Sequence, residues 1–118
     1  MPAKKLDITI EQGATFVMNL TWTSPAGTPV NLTGYTAKMQ ARLKHSSATA
    51  LATFNTADAT ITLGGSAGTI AVSGPAALTG ITKPVYGVYD LELTETSTGK
   101  VTRLLEGRAF FSPEVTKA

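Results

Sequence analysis

Four groups of residues have the types that reactive or binding sites use. The first is the single histidine, His45, followed at once by Ser46 and Ser47. An imidazole beside a serine could take the hydroxyl proton during attack on a carbonyl, but the reaction also needs an orienting carboxylate and oxyanion donors. A Gly-x-Ser-x-Gly nucleophile elbow is absent. The run Gly65-Ser66-Ala67-Gly68 does not replace it, because it reads as a hairpin connection and not as a strand-to-helix turn. His45 therefore reads as a loop histidine, no catalytic residue is expected, and the chain is expected not to be an enzyme.

The second group is the acids Asp7, Glu11, Asp58, Asp90, Glu92, Glu95, Glu106 and Glu114. Their spacing matches no calcium loop, and one histidine without cysteine makes a poor transition-metal set. Asp90 and Glu92 alternate on one strand face, which fits a solvated face better than a ligand pair. The third group, Gly64 to Gly68, lacks the Lys-Ser/Thr and the helix that a phosphate-binding loop requires. Neither a metal nor a cofactor is expected. Two Asn-Leu-Thr triplets, at Asn19 and Asn31, fit a glycosylation sequon, but 20 threonines make chance matches common.

The fourth group is the row Lys38, Arg42 and Lys44, interrupted by Gln40. No aromatic residue alternates with it for base stacking, and the net charge is only +2. It reads as a solvated face or a protein contact, and nucleic acid is not an expected partner.

The elements that carry these residues are strands. Leu6, Ile8 and Ile10 alternate with polar residues, then Ala14, Phe16, Met18, Leu20 and Trp22 share a face. From Tyr35 to Lys44 one face is Tyr35, Ala37, Met39, Ala41 and Leu43, and the other is Thr36, Lys38, Gln40, Arg42 and Lys44. A period of two over such lengths predicts half-buried antiparallel strands. Short strands are expected over 51–56, 60–63 and 69–73, with a helical turn within 74–82 between Pro75 and Gly80. The clearest hairpin is 85–95 with 101–112, turning at 96–100.

The last strand carries more large apolar residues than one face accommodates. If Leu105, Gly107, Ala109 and Phe111 face inward, then Leu104, Glu106, Arg108 and Phe110 form an outward patch of the kind interfaces use. The alternative is a bulge at Leu104-Leu105 that turns one of them back inward. Lys38, Arg42, Leu104, Arg108 and Phe110 are the candidate protein-contact residues. Trp22, Tyr35 and Tyr86 are the aromatic residues a sugar site would use, and each reads more naturally as core or turn packing.

Composition bounds the rest. The 118 residues make one domain, with 1–5 and 114–118 expected as extended tails. Twenty Thr, 16 Ala and 11 Gly leave no heptad, which excludes a coiled coil, and 42% hydrophobic content argues against disorder. There is no cysteine for a disulfide or zinc framework. No apolar run reaches membrane-spanning length, and the lysines near the N-terminus precede no export-signal core, so no membrane is expected as a partner. The fold expected is an all-β, immunoglobulin-like antiparallel β-sandwich of about seven to nine strands with at most one short helical turn.

The segments DITIEQGATFVMNLTW, PVNLTGYTAKMQAR and VYDLELT, followed by TGKVTRLLEGRAFFSPEVT, resemble small tail and baseplate proteins of tailed bacteriophages. The chain is similar, over roughly residues 6–116, to the N-terminal immunoglobulin-like domain of phage upper baseplate proteins. The resemblance implies a structural virion protein acting by protein–protein assembly, made in the host cytoplasm and partnered by other tail, baseplate or fibre components and by copies of itself. A capsid decoration protein or a carbohydrate-binding module on the particle surface is the alternative. The long helical or fibrous extension that follows the domain in upper baseplate proteins has no counterpart here. In this frame Gly13 permits a turn between the first two strands, and Asn31 to Gly34 form a side-chain-supported turn. Tyr89, after Gly87, serves as a corner tyrosine bonded to nearby backbone.

Overall fold

The computed structural model describes residues 4–11, 14–44, 46, 52–74 and 85–112. Their nine strands are β1 (Lys4–Lys5), β2 (Ile8–Glu11), β3 (Phe16–Thr21), β4 (Tyr35–Arg42), β5 (Ala52–Asn55), β6 (Ile61–Leu63), β7 (Thr69–Gly74), β8 (Val85–Glu95) and β9 (Val101–Ser112). One sheet runs β1-β9-β8-β4-β5, with β2 also on β9, and the other runs β3-β7-β6. The two sheets pack as an all-β sandwich. This is the strand order of an immunoglobulin variable-type domain, with the first strands laid on the last. Gly74, expected to open the segment with the helical turn, instead ends β7, and residues 75–82, His45 and Gly13 lie outside the described residues. Lys4 and Lys5, expected within a tail, instead pair with Leu105 and Glu106.

Alternation selects the faces. Phe16, Ala37, Met39, Ala41, Phe54, Ile61, Ile70, Val72, Leu91, Leu93 and Phe111 are buried, and threonines such as Thr36 and Thr62 lie outside. Phe16 and Phe54 meet across the sheets with ring centroids 5.5 Å apart. The long strand ends at Arg42, so Leu43, expected inward, lies beyond it and is exposed. Gly64 to Gly68 does connect β6 to β7, as a 3-10 turn in which Gly65 and Gly68 have φ of 61° and 69°. Gly68 has no room for a side chain, because a Cβ there would lie 2.8 Å from the Trp22 carbonyl oxygen.

One edge departs from the expected antiparallel pattern. β1 and β2 run parallel to β9, in one register from Lys4 opposite Leu105 to Glu11 opposite Ser112. Between them Leu6 and Asp7 crowd onto Gly107, where a Cβ would collide with the Leu6 carbonyl. The ladder is completed there by other means: Leu6 donates its N–H to the Glu106 carbonyl at 2.9 Å, and Arg108 donates its N–H to the Asp7 carboxylate at 3.0 Å.

Tyr89 spans this edge from below. Its ring is buried, and its hydroxyl donates to the Leu6 carbonyl at 2.5 Å. The expected corner tyrosine is therefore corrected: the acceptor is 83 residues away, on the edge segment, and not on nearby backbone. Burial, and then the Asp7 charge, push the Tyr89 hydroxyl up to about 12.

Candidate functional site

The outward face of the larger sheet collects most of the candidate residues, and a bulge decides which. Leu91 pairs with Leu105 but Glu92 pairs with Arg103, so Leu104 is the extra residue of β9. Because of it, Leu104 and Leu105 both turn inward; Leu104 is half-buried and packs on the core cluster. The outward placement of Leu104 is thereby corrected in favour of the bulge. The same insertion moves Arg103 to the outside, in line with Glu106, Arg108 and Phe110.

The outer face then reads as cross-strand rows. Lys38, Glu92 and Arg103 make one row across β4, β8 and β9; Gln40, Asp90 and Glu106 make the next. Arg42, Val88 and Arg108 follow, and Tyr86 with Phe110 make the last. In the middle of the face Arg103 lies 3.4 Å from Glu106, 3.6 Å from Asp90 and 3.7 Å from Glu92. The Glu106 hydrogen bond and then the Asp90 charge hold the guanidinium protonated above its ordinary range. Of the expected basic row Lys38, Arg42 and Lys44, Lys38 stands opposite Glu92, Arg42 donates to the Gln40 side chain at 2.9 Å, and Lys44 lies beyond the end of β4.

The last row is different in kind. Tyr86 and Phe110 stack with centroids 4.7 Å apart and planes 26° apart. Tyr86 is 78% exposed, which corrects its reading as core or turn packing. With Leu43, Val88 and Arg108 the pair lines an open hollow of about 420 Å³. Sequence reasoning reached Arg108 and Phe110, weighed Tyr86 but assigned it to core or turn packing, and missed Leu43. The signal for Tyr86 was present, since it shares the parity of Asp90 and Glu92 on β8 and must face outward with them.

The other two aromatic candidates sit elsewhere. Trp22 and Tyr35 meet edge to face at 6.0 Å, both half-buried against the core. Among the described residues, no group of three or more His, Cys, Asp or Glu is placed to hold a metal ion, and no helix is long and apolar enough to cross a membrane. Asn31 acts locally, accepting the Thr33 N–H at 3.0 Å in the expected side-chain-supported turn. No family model matches the sequence, and no curated protein matches it.

Proposed function

We propose that this chain is a structural protein of a tailed-bacteriophage particle, a β-sandwich held in the tail, baseplate or fibre-attachment region by protein–protein contacts. The observation that supports an assembly role is the Tyr86–Phe110 stack on the outer face, beside Leu43, Val88 and Arg108. A large, rigid aromatic surface next to an arginine is the combination that concentrates binding energy at protein interfaces. A contiguous exposed apolar patch rimmed by polar residues marks an interaction surface. The partners in this reading are other virion components and further copies of the chain, and the protein reaches the particle after synthesis in the host cytoplasm.

The test is incorporation. Antibodies against the chain should label one region of intact particles from a phage that encodes it, and Tyr86→Ala should fold yet fail to enter the particle. Uniform labelling of the head would favour capsid decoration instead, and unlabelled particles would overturn the virion reading. The same exposed ring favours a carbohydrate-binding module as the second reading, since sugars stack on such surfaces. A glycan screen that finds ligands lost on Tyr86→Ala would support it.

A further inference from the structure

We infer that the open edge of β3 pairs with β3 of a second copy of the same chain, antiparallel about a twofold axis through Asn19, so that the two smaller sheets join into one. The contact lies at an edge and is made by main chain, apart from the outer face of the larger sheet. Among the described residues β3 borders only β7, in the sheet β3-β7-β6. Trp22 continues that ladder by donating its N–H to the Gly68 carbonyl at 2.8 Å, which sets the even-numbered residues of β3 toward β7. Alternation then turns the N–H and C=O groups of Val17, Asn19 and Thr21 to the open side, where no strand pairs with them among the described residues.

The other edges are blunted. β1 and β2 carry Lys4, Lys5 and Glu11, with Asp7 between them. β5 and β6 have only four and three residues, and the turn that holds Ala59 joins them from one sheet to the other. β3 has six residues in unbroken register with β7, and no proline, bulge or charge. The sequence holds no Asp, Glu, Lys or Arg from Gln12 to Ala37. Nothing on such an edge opposes an added strand. The lack of charge also matches it to itself, because a twofold axis brings each residue near its own twin, where a charge would meet its like.

Hydrogen bonding selects the register. With Asn19 opposite its twin, Val17 stands opposite the second copy's Thr21, and every open N–H and C=O of both strands is exchanged in hydrogen-bonded pairs. An axis at Met18 or at Leu20 would leave one end of each edge facing residues outside β3. The side chains agree with this choice. Asn19 offers its twin both a donor and an acceptor, and Val17 meets threonine in a pair of branched side chains. On the inner face Met18 comes opposite the second copy's Leu20, and both are half-buried. Leu20 borders an open hollow of about 350 Å³ with Leu6, Trp22, Leu104 and Leu105, a gap that a flexible thioether suits. The paired strands are about 20 Å long, so the contact is smaller than the roughly 1,200 Å² of specific stable complexes. The dimer therefore forms at high protein concentration and, having no charge at its contact, is indifferent to salt.

The chain has no cysteine, so single introduced cysteines report the contact. Opposed hydrogen-bonded residues have Cα atoms about 5.5 Å apart, within disulfide reach. Under mild oxidation the Asn19→Cys protein should form a covalent dimer at least tenfold faster than Thr62→Cys, whose site is exposed on β6. A mixture of Val17→Cys and Thr21→Cys should link at least tenfold faster than either alone, a result that requires the antiparallel register. Sedimentation of the wild-type full chain up to millimolar concentration should show a dimer, weakened at least tenfold by Asn19→Lys and unchanged by Tyr86→Ala. Circular dichroism checks that each variant keeps its fold. A wild type that stays monomeric throughout, an Asn19→Cys protein that links no faster than Thr62→Cys, or a mixture no faster than its components overturns the inference. Particle labelling is read separately, so the virion reading can fail while this one stands, and the reverse.

Discussion

Gly107 and Tyr89 solve one problem together. A parallel edge segment must cross β9 closely, and only a residue without a side chain lets the Leu6 carbonyl settle there. Gly107→Ala is expected to cost about 1–3 kcal/mol, as overpacking against backbone does, read from urea unfolding. Tyr89→Phe removes the donor to Leu6 and should cost roughly 1 kcal/mol. The pH dependence has a definite sign. The Tyr89 hydroxyl is raised from 10.0 to about 12, so the folded state resists its ionisation. Its contribution is complete below the unfolded value and is lost as pH rises between 10 and 12. Unfolding midpoints should fall across that window, and Tyr89→Phe should flatten this part of the profile. Ala59 is the opposite case, a strained residue with φ of 65° in the turn from β5 to β6. Around it the Thr60 hydroxyl bonds Asp58 at 2.6 Å and holds that carboxyl below its ordinary range. Ala59→Gly should stabilise the protein by about 0.5–1 kcal/mol, because glycine adopts this conformation without the Cβ clash.

At the scale of elements, the bulge in β9 is the decisive irregularity. A strand of strict alternation would point Arg103 inward and leave the Asp90, Glu92 and Glu106 carboxylates without it. Deleting Leu104 should restore strict pairing with Arg103 still opposite Glu92, and cost about 2 kcal/mol or more through the lost half-buried leucine. The measurement is thermal unfolding, with amide exchange locating the damage in the β8–β9 hairpin. Alternation made the faces of β3, β4 and β8 legible from residues alone, and glycine placed the turn at Gly64 to Gly68. The bulge was legible only as one of two alternatives, because Leu104 and Leu105 are the same residue type and either could be the insertion. Tyr89 was illegible for another reason. Its acceptor is backbone far away in sequence, and a backbone carbonyl leaves no mark in residue types.

For the whole molecule, polarity divides the surface unevenly. The outer face of the larger sheet carries the charges and the exposed aromatic pair, while the smaller sheet shows Val17, Asn19 and Thr21 on its strand β3. Side-chain interface energy is thus expected to reside at a few residues of one face. Tyr86→Ala should cost only about 0.5–1.5 kcal/mol of stability, the worth of the lost Phe110 stack, while removing most of the association of that face. Comparing calorimetry with sedimentation on the same variant separates the two effects. The candidate contacts were partly legible because Arg108 and Phe110 share a strand face. Their neighbours Tyr86 and Leu43 join them only through pairing of β9 with β8 and the end of β4 at Arg42.

The parallel edge also fixes an order of events. β1 and β2 precede β9, their ladder partner among the described residues, by about a hundred positions, the Asp7 to Arg108 contact spanning 101. On the ribosome this segment must wait, unpaired, until β9 has emerged. β8 and β9, a local hairpin, can form before it docks. Closure of the edge by Leu6, Asp7 and Tyr89 is then expected to follow the hairpin, and the β9 edge stays exposed to any other strand until it occurs.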